Sequence, residues 1–306
     1  MKQINFGNSG ITAPAVVVGC MRMRDLEVRQ AAAVVEKAIE LGCNWFDHAD
    51  IYGNGTSHRT FARAAKELGI RREDMFLQSK CGIVRGMGYD SSYRHILTAV
   101  DQILEELDTE YLDMLLLHRP DLLLEPEEVA EAFARLEESG KVRAFGVSNY
   151  RTMTLKLLQK YLNQPVQANQ LQFSLAHAGM LRAQAQSNTL AEGAADLDGE
   201  ILDYCRLENI TIQAWSPFQY GMFKGTFLDS PEYPELNGVL EELAEKYGAD
   251  KTAIASAWIL RHPAGMQVIA GTTNPDRLTS VCRGAELELS REDWYRLYKA
   301  AGNHLP

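Results

Sequence analysis

Three observations predict that this chain of 306 residues has an α/β fold, a (β/α)8 barrel. First, eight short apolar runs alternate with helical stretches, and such alternation implies parallel strands joined by right-handed crossovers. Second, three of the early runs end on or next to a titratable residue, namely Asp47, Lys80 and His118. Third, the sequence contains neither GxGxxG nor GxxxxGK[ST], the phosphate-binding turns expected of an open doubly wound sheet. Eight strands without such a turn favour a closed barrel.

The elements follow one another in a regular order. A turn at Gly7-Asn8-Ser9-Gly10 inside an alternating segment predicts an N-terminal β-hairpin. Apolar runs predict barrel strands at 15–19, 45–47, 75–80, 113–117, 143–147, 166–171, 210–214 and 267–269. Helical periodicity predicts helices near 26–41, 57–68, 91–107, 126–139, 152–161, 200–208, 238–247, 251–261, 275–284 and from about 291.

Two long segments, 176–199 and 217–237, lack periodicity and are predicted to be loops. The active site of such a barrel lies at its C-terminal face, where long loops usually shape it. Residues 1–306 are expected to form a single domain, because one α/β barrel commonly has this length.

Composition narrows the range of functions. A formal net charge of −10 argues against nucleic acid or an anionic membrane as the main partner. The five cysteines are scattered, and neither they nor the histidines show metal-ligand spacing, so no metal is expected. With no apolar signal region or membrane-length apolar run, a reduced cytoplasmic setting is expected. No repeat or heptad pattern calls for assembly, so we expect a monomer or a weak homodimer.

The candidate catalytic residues lie at or just beyond the ends of predicted strands. The segment NWFDHADIYG, residues 44–53, delivers Asp47 from a buried strand and Tyr52 from the loop beyond it. MFLQSK ends in Lys80, and MLLLH ends in His118. Each residue alone has a structural interpretation, as a cap, loop filler, a solvated strand end or a core histidine. Because the carboxyl ends of parallel strands meet at one face, we expect the four side chains to form a proton-handling set.

Seven motifs in sequence order resemble those of the aldo-keto reductase superfamily, particularly its bacterial single-barrel oxidoreductases. They are NWFDHADIYG, LQSK, LLLHRPD, FGVSN, NQLQFS, QAWSPF and GTTNPDRL. The resemblance implies that hydride passes from a nicotinamide coenzyme to the carbonyl of a small-molecule substrate. It implies Tyr52 as proton donor, with Lys80 lowering its pKa. Asp47 would then hold Lys80, and His118 would orient the carbonyl oxygen.

The resemblance also implies a coenzyme-binding set. Ser148, Asn149 and Gln170 match positions that hold the nicotinamide carboxamide, and Trp215 matches an aromatic residue stacked on the ring. Ser216, Pro217 and Phe218 would follow the pyrophosphate. The full set is Gly19, Met21, Asp47, Ser148, Asn149, Gln170, Trp215, Ser216, Pro217, Phe218, Gly221, Phe223, Gly271, Thr272, Thr273, Asn274 and Arg277.

The segment 271–277 is the expected adenosine end. Asn274 is typical of an N-cap and Pro275 of a first helical residue, and a helix N-terminus attracts anions. Arg277 would pair with a ribose 2′-phosphate, which favours NADPH over NADH. Many family members carry a lysine where this chain has Gly271, so NADH stays an alternative.

The expected function is therefore NADPH-dependent reduction of an aldehyde or ketone. An NAD(P)-dependent alcohol or sugar dehydrogenase, a nucleotide-sensing regulatory subunit and a barrel hydrolase or lyase are the alternatives, although the last gives FGVSN and SPF no role. Candidate substrate determinants are Met21, Met23, Arg119, the loops 176–199 and 218–237, Trp294 and Tyr295. Arg22, Arg24 and Arg85 either meet an acidic substrate or are solvated surface residues.

Overall fold

The computed structural model describes residues 1–222 and 224–306 and contains the predicted closed barrel. Its strands are β1 (Gln3–Phe6), β2 (Ile11–Pro14), β3 (Val16–Gly19), β4 (Trp45–Asp47), β5 (Phe76–Cys81), β6 (Ile83–Val84), β7 (Gly88–Tyr89), β8 (Met114–Leu117), β9 (Phe145–Ser148), β10 (Val166–Gln172), β11 (Thr211–Trp215) and β12 (Gln267–Ala270). Around the barrel the order is β3-β4-β5-β8-β9-β10-β11-β12, all parallel, and pairing of β12 with β3 closes it.

Helices surround the strands. They are α1 (Val28–Glu40), α2 (Thr56–Glu67), α3 (Tyr93–Glu106), α4 (Pro126–Glu138), α5 (Thr152–Gln159), α6 (Gly179–Ala185), α7 (Ile201–Leu207), α8 (Pro234–Tyr247), α9 (Lys251–Leu260), α10 (Pro275–Gly284) and α11 (Arg291–Ala300). Helix α3 shows why they form. Ser92 caps its first turn, and Ile96, Val100 and Ile103 recur at helical spacing and are fully buried.

The predicted N-terminal hairpin is confirmed and closes the bottom of the barrel. Strands β1 and β2 pair antiparallel, and the side chain of Phe6 is buried against Trp45, with ring centroids 4.6 Å apart. Trp45 also stacks on Phe76. This aromatic plug shields the barrel interior from solvent at the end opposite the strand tips.

Some sequence predictions were wrong in detail. The segment 176–199 is not all loop, because it contains α6 and a 3-10 turn at 192–194; Leu181 is the buried residue that ties α6 to the core. Helix α8 begins at Pro234 rather than 238, since proline fits the first turn of a helix. Sequence analysis also missed the β6–β7 hairpin, whose two-residue strands are too short to show periodicity. Among the described residues, no helix is long and apolar enough to cross a membrane.

Candidate active site

The barrel brings the four predicted catalytic side chains together. Asp47 ends β4, Lys80 lies near the end of β5, and His118 follows β8 directly. Lys80 Nζ donates hydrogen bonds to Asp47 Oδ2 at 2.8 Å and to Tyr52 Oη at 3.2 Å. The rings of Tyr52 and His118 meet edge to face with centroids 6.0 Å apart. A carbonyl oxygen can therefore reach the phenol and the imidazole at once.

Lys80 is fully buried and fully hydrogen-bonded. Its third hydrogen bond, 2.7 Å long, goes to the backbone carbonyl of His48. Burial by itself lowers the pKa of Lys80, but the Asp47 carboxylate and the Tyr52 phenol outweigh it, so the pKa is raised overall. The side chain thus stays an ammonium ion.

The pKa of Tyr52 differs from the sequence expectation. Burial raises the pKa of this phenol, and the Lys80 ammonium opposes that effect without reversing it. The expectation of a lowered pKa was wrong because it counted the cation and left out desolvation, which penalises the phenolate. At neutral pH Tyr52 therefore carries its proton, as a proton donor must.

His118 lies beside this pair as a neutral imidazole. Burial, assisted by the charges of Lys80 and Arg119, holds its pKa well below the usual range. Its Nδ1 atom has no hydrogen-bond partner among the described residues. A neutral ring that carries one N–H can donate a hydrogen bond to a substrate oxygen without delivering the proton itself.

A glutamine network that was not predicted from the sequence lies beneath the tetrad. Asp47 Oδ1 accepts hydrogen bonds from Gln78 Nε2 at 2.5 Å and Gln170 Nε2 at 3.0 Å. Gln213 links these two amides and donates onward to Gln267 at 2.9 Å. The one signal in the sequence is a glutamine on each of four barrel strands. The network fixes the carboxylate that holds Lys80.

A second missed group lies behind the tetrad, between α2 and α3. The buried carboxylate of Glu106 lies 2.8 Å from His58 Nδ1 and accepts from Arg59 Nη1 at 2.9 Å. His58 Nε2 lies 3.1 Å from Ser79 Oγ, next to Lys80, while Arg59 Nη2 donates to the carbonyl of Asn54. This Glu106 cluster ties β5 to the segment that carries the tyrosine.

Four of the expected coenzyme-binding residues form one hydrogen-bonded group. Ser148 Oγ donates to the Gln170 carbonyl at 3.0 Å, and Asn149 Nδ2 donates to Ser148 Oγ at 2.8 Å. Trp215 Nε1 donates to Asn149 Oδ1 at 3.2 Å. Asn149 and Ser216 have φ values of 61° and 50°, a strained region that non-glycine residues occupy mainly at functional sites.

The loop after β11 folds back on itself. Gln219 pairs with Thr226 in an isolated antiparallel bridge, and the Phe227 amide donates to the Phe218 carbonyl at 3.1 Å. Pro217 and Gly221 are buried in this loop. Phe223, expected to contact the coenzyme, lies outside the described residues.

The predicted cap of α10 is confirmed. Asn274 Oδ1 accepts from the amides of Asp276 at 2.8 Å and Arg277 at 3.0 Å, and the Thr272 hydroxyl accepts from the Asn274 amide. Thr273 lies between these two capping residues. Arg277 is exposed, and Asp276 beside it places a negative charge in the first turn.

Gly19 ends β3, and Gly271 directly follows β12, the strand paired with it. A Cβ atom on Gly19 would lie 3.3 Å from the Gly271 Cα, so a larger residue at position 19 would crowd the end of β12. Arg22 Nη1 donates to the Gly271 carbonyl at 2.5 Å. Met21 begins the 3-10 turn that carries Arg22.

Several expected substrate determinants make other contacts. Trp294 stacks on Trp258 in the helix layer with centroids 5.0 Å apart, and Met23 is buried in the core. Arg24 pairs with Asp25, and Arg85 donates to the Ile51 carbonyl at 2.6 Å. Arg119, by contrast, lines a cavity of about 200 Å³ beside Trp215.

A closed (β/α)8 barrel with a buried lysine and carboxylate and a half-buried tyrosine at its carboxyl end defines a barrel oxidoreductase. Residues 15–301 match the model of the Aldo/keto reductase family, and the chain belongs to that family. The tetrad lies within the matched range.

Named relatives cover nearly the whole chain. It is 34% identical to the uncharacterized oxidoreductase YcsN of Bacillus subtilis, over 93% of each chain. It is 31% identical to a 6-dehydroglucose reductase of Agrobacterium fabrum, over 94% of this chain and 93% of that one. The crystal structure of the thermostable aldo-keto reductase Tm1743 has a TM-score of 0.79 at 24% identity, covering 98% of this chain and 100% of that one.

Proposed function

We propose that this protein reduces an aldehyde or ketone to an alcohol, with NADPH as hydride donor and NADH as the alternative. The observation that carries the proposal is the contact of Lys80 Nζ with both Asp47 and Tyr52. A half-buried phenol beside a permanent cation is suited to release a proton when a strong base forms next to it. Residues 1–306 would act as one domain, as a monomer or weak homodimer. The five free, buried cysteines are compatible with a reducing cytoplasm.

The residues present fit a nicotinamide coenzyme. The Ser148 and Asn149 side chains and the Gln170 side-chain carbonyl offer donors and acceptors of the kinds that a carboxamide requires, while Gln170 Nε2 already donates to Asp47 and Gln213. Trp215 offers an aromatic face, and the buried Gln219 Oε1 has no partner among the described residues.

The adenosine end of the coenzyme has a matching surface as well, because the capped N-terminus of α10 is suited to a phosphate. A crystal structure of an aldo-keto reductase from Klebsiella pneumoniae, 24% identical over 97% of this chain and 94% of that one, is described as an NADPH complex.

When bound, the coenzyme supplies the hydride to the carbonyl carbon. Negative charge then grows on the carbonyl oxygen, and the Tyr52 hydroxyl donates its proton to that oxygen. An alkoxide is about as basic as hydroxide, so even a phenol of raised pKa protonates it downhill. The Lys80 ammonium stabilises the tyrosinate that remains. His118 orients the oxygen by hydrogen bonding.

The decisive experiment follows oxidation of NADPH, and separately of NADH, with aromatic, aliphatic and sugar aldehydes and ketones. Tyr52→Phe removes only the hydroxyl, so we expect kcat to fall about 10²- to 10⁴-fold. Coenzyme affinity, measured by fluorescence, should stay within about twofold. Tyr89→Phe is the matched control, because Tyr89 is exposed on the β6–β7 hairpin.

The outcomes separate the alternatives. Turnover that Tyr52→Phe abolishes and Tyr89→Phe preserves supports the reductase. Coenzyme binding without reduction of any carbonyl, but with oxidation of an alcohol by NADP⁺ or NAD⁺, favours a dehydrogenase. Coenzyme binding with turnover in neither direction favours a regulatory subunit, and failure to bind either coenzyme contradicts the proposal.

A further inference from the structure

The cavity beside Trp215 is built by loops on one side of the barrel mouth. Its polar lining includes Arg119, Arg151, Gln172, His177 and Asp198, and its apolar lining includes Leu171, Met180 and Ile201. Its volume of about 200 Å³ suits part of a small molecule. The cavity is also lined by Asn149 and Trp215, which the proposed function assigns to the nicotinamide, so a molecule in it would lie beside the reacting end of the coenzyme.

The charges in this cavity do not balance. Arg119 and Arg151 bring two guanidinium groups, which stay charged at any accessible pH. Asp198 supplies at most one negative charge, and burial raises the pKa of this carboxyl. Burial lowers the pKa of His177, so its ring is neutral at neutral pH. At least one positive charge is left uncompensated.

The donors in the cavity have few acceptors in the protein. The Arg119 guanidinium donates only to the Met222 sulfur, at 3.6 Å, among the described residues and lies 6.0 Å from the centroid of the Trp215 ring. Within the described part of the chain, neither this arginine nor the exposed Arg151 forms an ion pair. The buried Nε2 of Gln172 has no hydrogen-bond partner there either. A buried N–H without an acceptor is costly, and a ligand oxygen would satisfy it.

We propose that the substrate is a carbonyl compound with one anionic group, a carboxylate or a phosphate, held by Arg119, Arg151 and Gln172. Guanidinium groups match the paired oxygens of such anions. The carbonyl would then lie at Tyr52 and His118, and the anion a few bonds away. This inference rests on the proposed reductase activity and narrows its substrate class.

The test compares matched neutral and anionic aldehydes in the same enzyme. Butanal is paired with succinic semialdehyde, benzaldehyde with 4-carboxybenzaldehyde, and glyceraldehyde with glyceraldehyde 3-phosphate. We expect the wild type to prefer the anionic member in kcat/KM by about 10- to 100-fold, since a hydrogen bond to a charged group contributes about 1.5–3 kcal/mol. The preference should shrink as salt increases.

Variants locate the effect. Arg151→Gln should reduce the ratio of anionic to neutral kcat/KM, and Arg119→Gln with Arg151→Gln should bring it to about one. Because both kcat/KM values in the ratio come from the same variant, a general loss of activity lowers both and leaves the ratio unchanged. Arg63→Gln, which removes an exposed charge on α2 outside the cavity, should leave the ratio unchanged.

A second readout does not depend on turnover. Calorimetric titration should show that 4-hydroxybutyrate binds at least about tenfold more tightly than 1,4-butanediol, and that the double variant removes the difference. A larger anionic preference in the third pair than in the first two would identify the anion as a phosphate, and the reverse would identify it as a carboxylate. A ratio near one in the wild type for all three pairs overturns the inference while Tyr52-dependent turnover preserves the reductase. If no carbonyl is reduced, the reductase proposal fails, and equal binding of the two alcohols overturns the anion site as well.

Discussion

The two sides of the barrel mouth hold their polar groups in different ways. On the side of β4, β5 and β8, Asp47 and Lys80 are buried, and Lys80 has all its hydrogen bonds within the protein. Around the cavity, in the part of the chain that the structure describes, Arg119 and Arg151 form no ion pair and Gln172 Nε2 has no hydrogen-bond partner. We call these the closed side and the open side.

The difference shows how one barrel can keep the groups that transfer a proton apart from the groups that recognise a substrate. Groups that exchange a proton need a fixed geometry and a defined charge, and burial within strands supplies both. Groups that recognise a substrate need vacant donors, and loops can present them without disturbing the strands. The following predictions test this division.

Replacing Lys80, at the centre of the closed side, should have the largest effect on stability and activity. Lys80→Met leaves the Asp47 carboxylate buried without its cation, which should cost about 3–5 kcal/mol of unfolding free energy. Activity should fall at least about 10²-fold, because the tyrosinate loses its stabilising charge. Urea unfolding and steady-state kinetics measure the two effects.

Asp47→Asn added to Lys80→Met is the control for this pair. Removing the unpaired charge of Asp47 should recover part of the lost stability but none of the activity. A double variant as unstable as the sum of the two single variants would show that the pair is not a coupled unit.

The Glu106 cluster should also support the closed side. Gly55 has φ +77°, and a Cβ atom there would lie 1.9 Å from Glu106 Oε1. Gly55→Ala should therefore cost about 2–4 kcal/mol, from steric overlap and backbone strain together, and should lower kcat by moving Tyr52.

Gly69→Ala is the matched control, since Gly69 has φ +64° and nothing within 4 Å of the added atom. It should show only the backbone cost of about 1 kcal/mol, with kcat unchanged. Equal losses in the two variants would contradict a role for the Glu106 cluster.

A buried histidine on the closed side should also determine how the stability of the fold depends on pH. His48 is fully buried, neither ring nitrogen has a hydrogen-bond partner among the described residues, and burial holds its pKa well below the usual value. In the unfolded chain its pKa is about 6.5, so below that pH the unfolded state binds a proton that the folded state excludes. Stability should therefore fall with pH from about 6.5 downward, by up to about 1.4 kcal/mol per unit from this residue.

His48→Leu should make that slope shallower by about one proton between about pH 6 and pH 5, as measured by urea unfolding at each pH. The backbone carbonyl that accepts from Lys80 survives the substitution. His304→Leu, an exposed site near the C-terminus, should leave the slope unchanged. An unaltered slope in His48→Leu would rule out its contribution.

The smallest effect is expected at the adenosine end. Asn274→Ala removes the cap of α10 and should cost about 1 kcal/mol. If the N-terminus of this helix holds a coenzyme phosphate, the Kd for NADPH should also rise several-fold. Ser92→Ala, which removes the cap of α3, should cost similar stability without changing that Kd. A Kd unchanged in both variants would contradict the assignment.

Much of the closed side was predictable because its residues lie at strand ends. The apolar runs before Asp47 and His118 indicate buried strands, and the closure of parallel strands brings their tips to one face. The pKa of Tyr52 was not predictable, because it depends on how deeply the ring is buried. The open side was less predictable from the sequence, because α6 and the cavity arise from the packing of segments that show no periodicity.

The sequence by itself determined the barrel, its hairpin plug, the cap at Asn274 and the residue types at the strand tips. These depend on local periodicity and on neighbours along the chain. Only the tertiary structure decided the glutamine network around Asp47, the Glu106 cluster and the unbalanced charge beside Arg119. Each of these joins residues that are distant in sequence, and burial sets their hydrogen bonds and charge states once the barrel has closed.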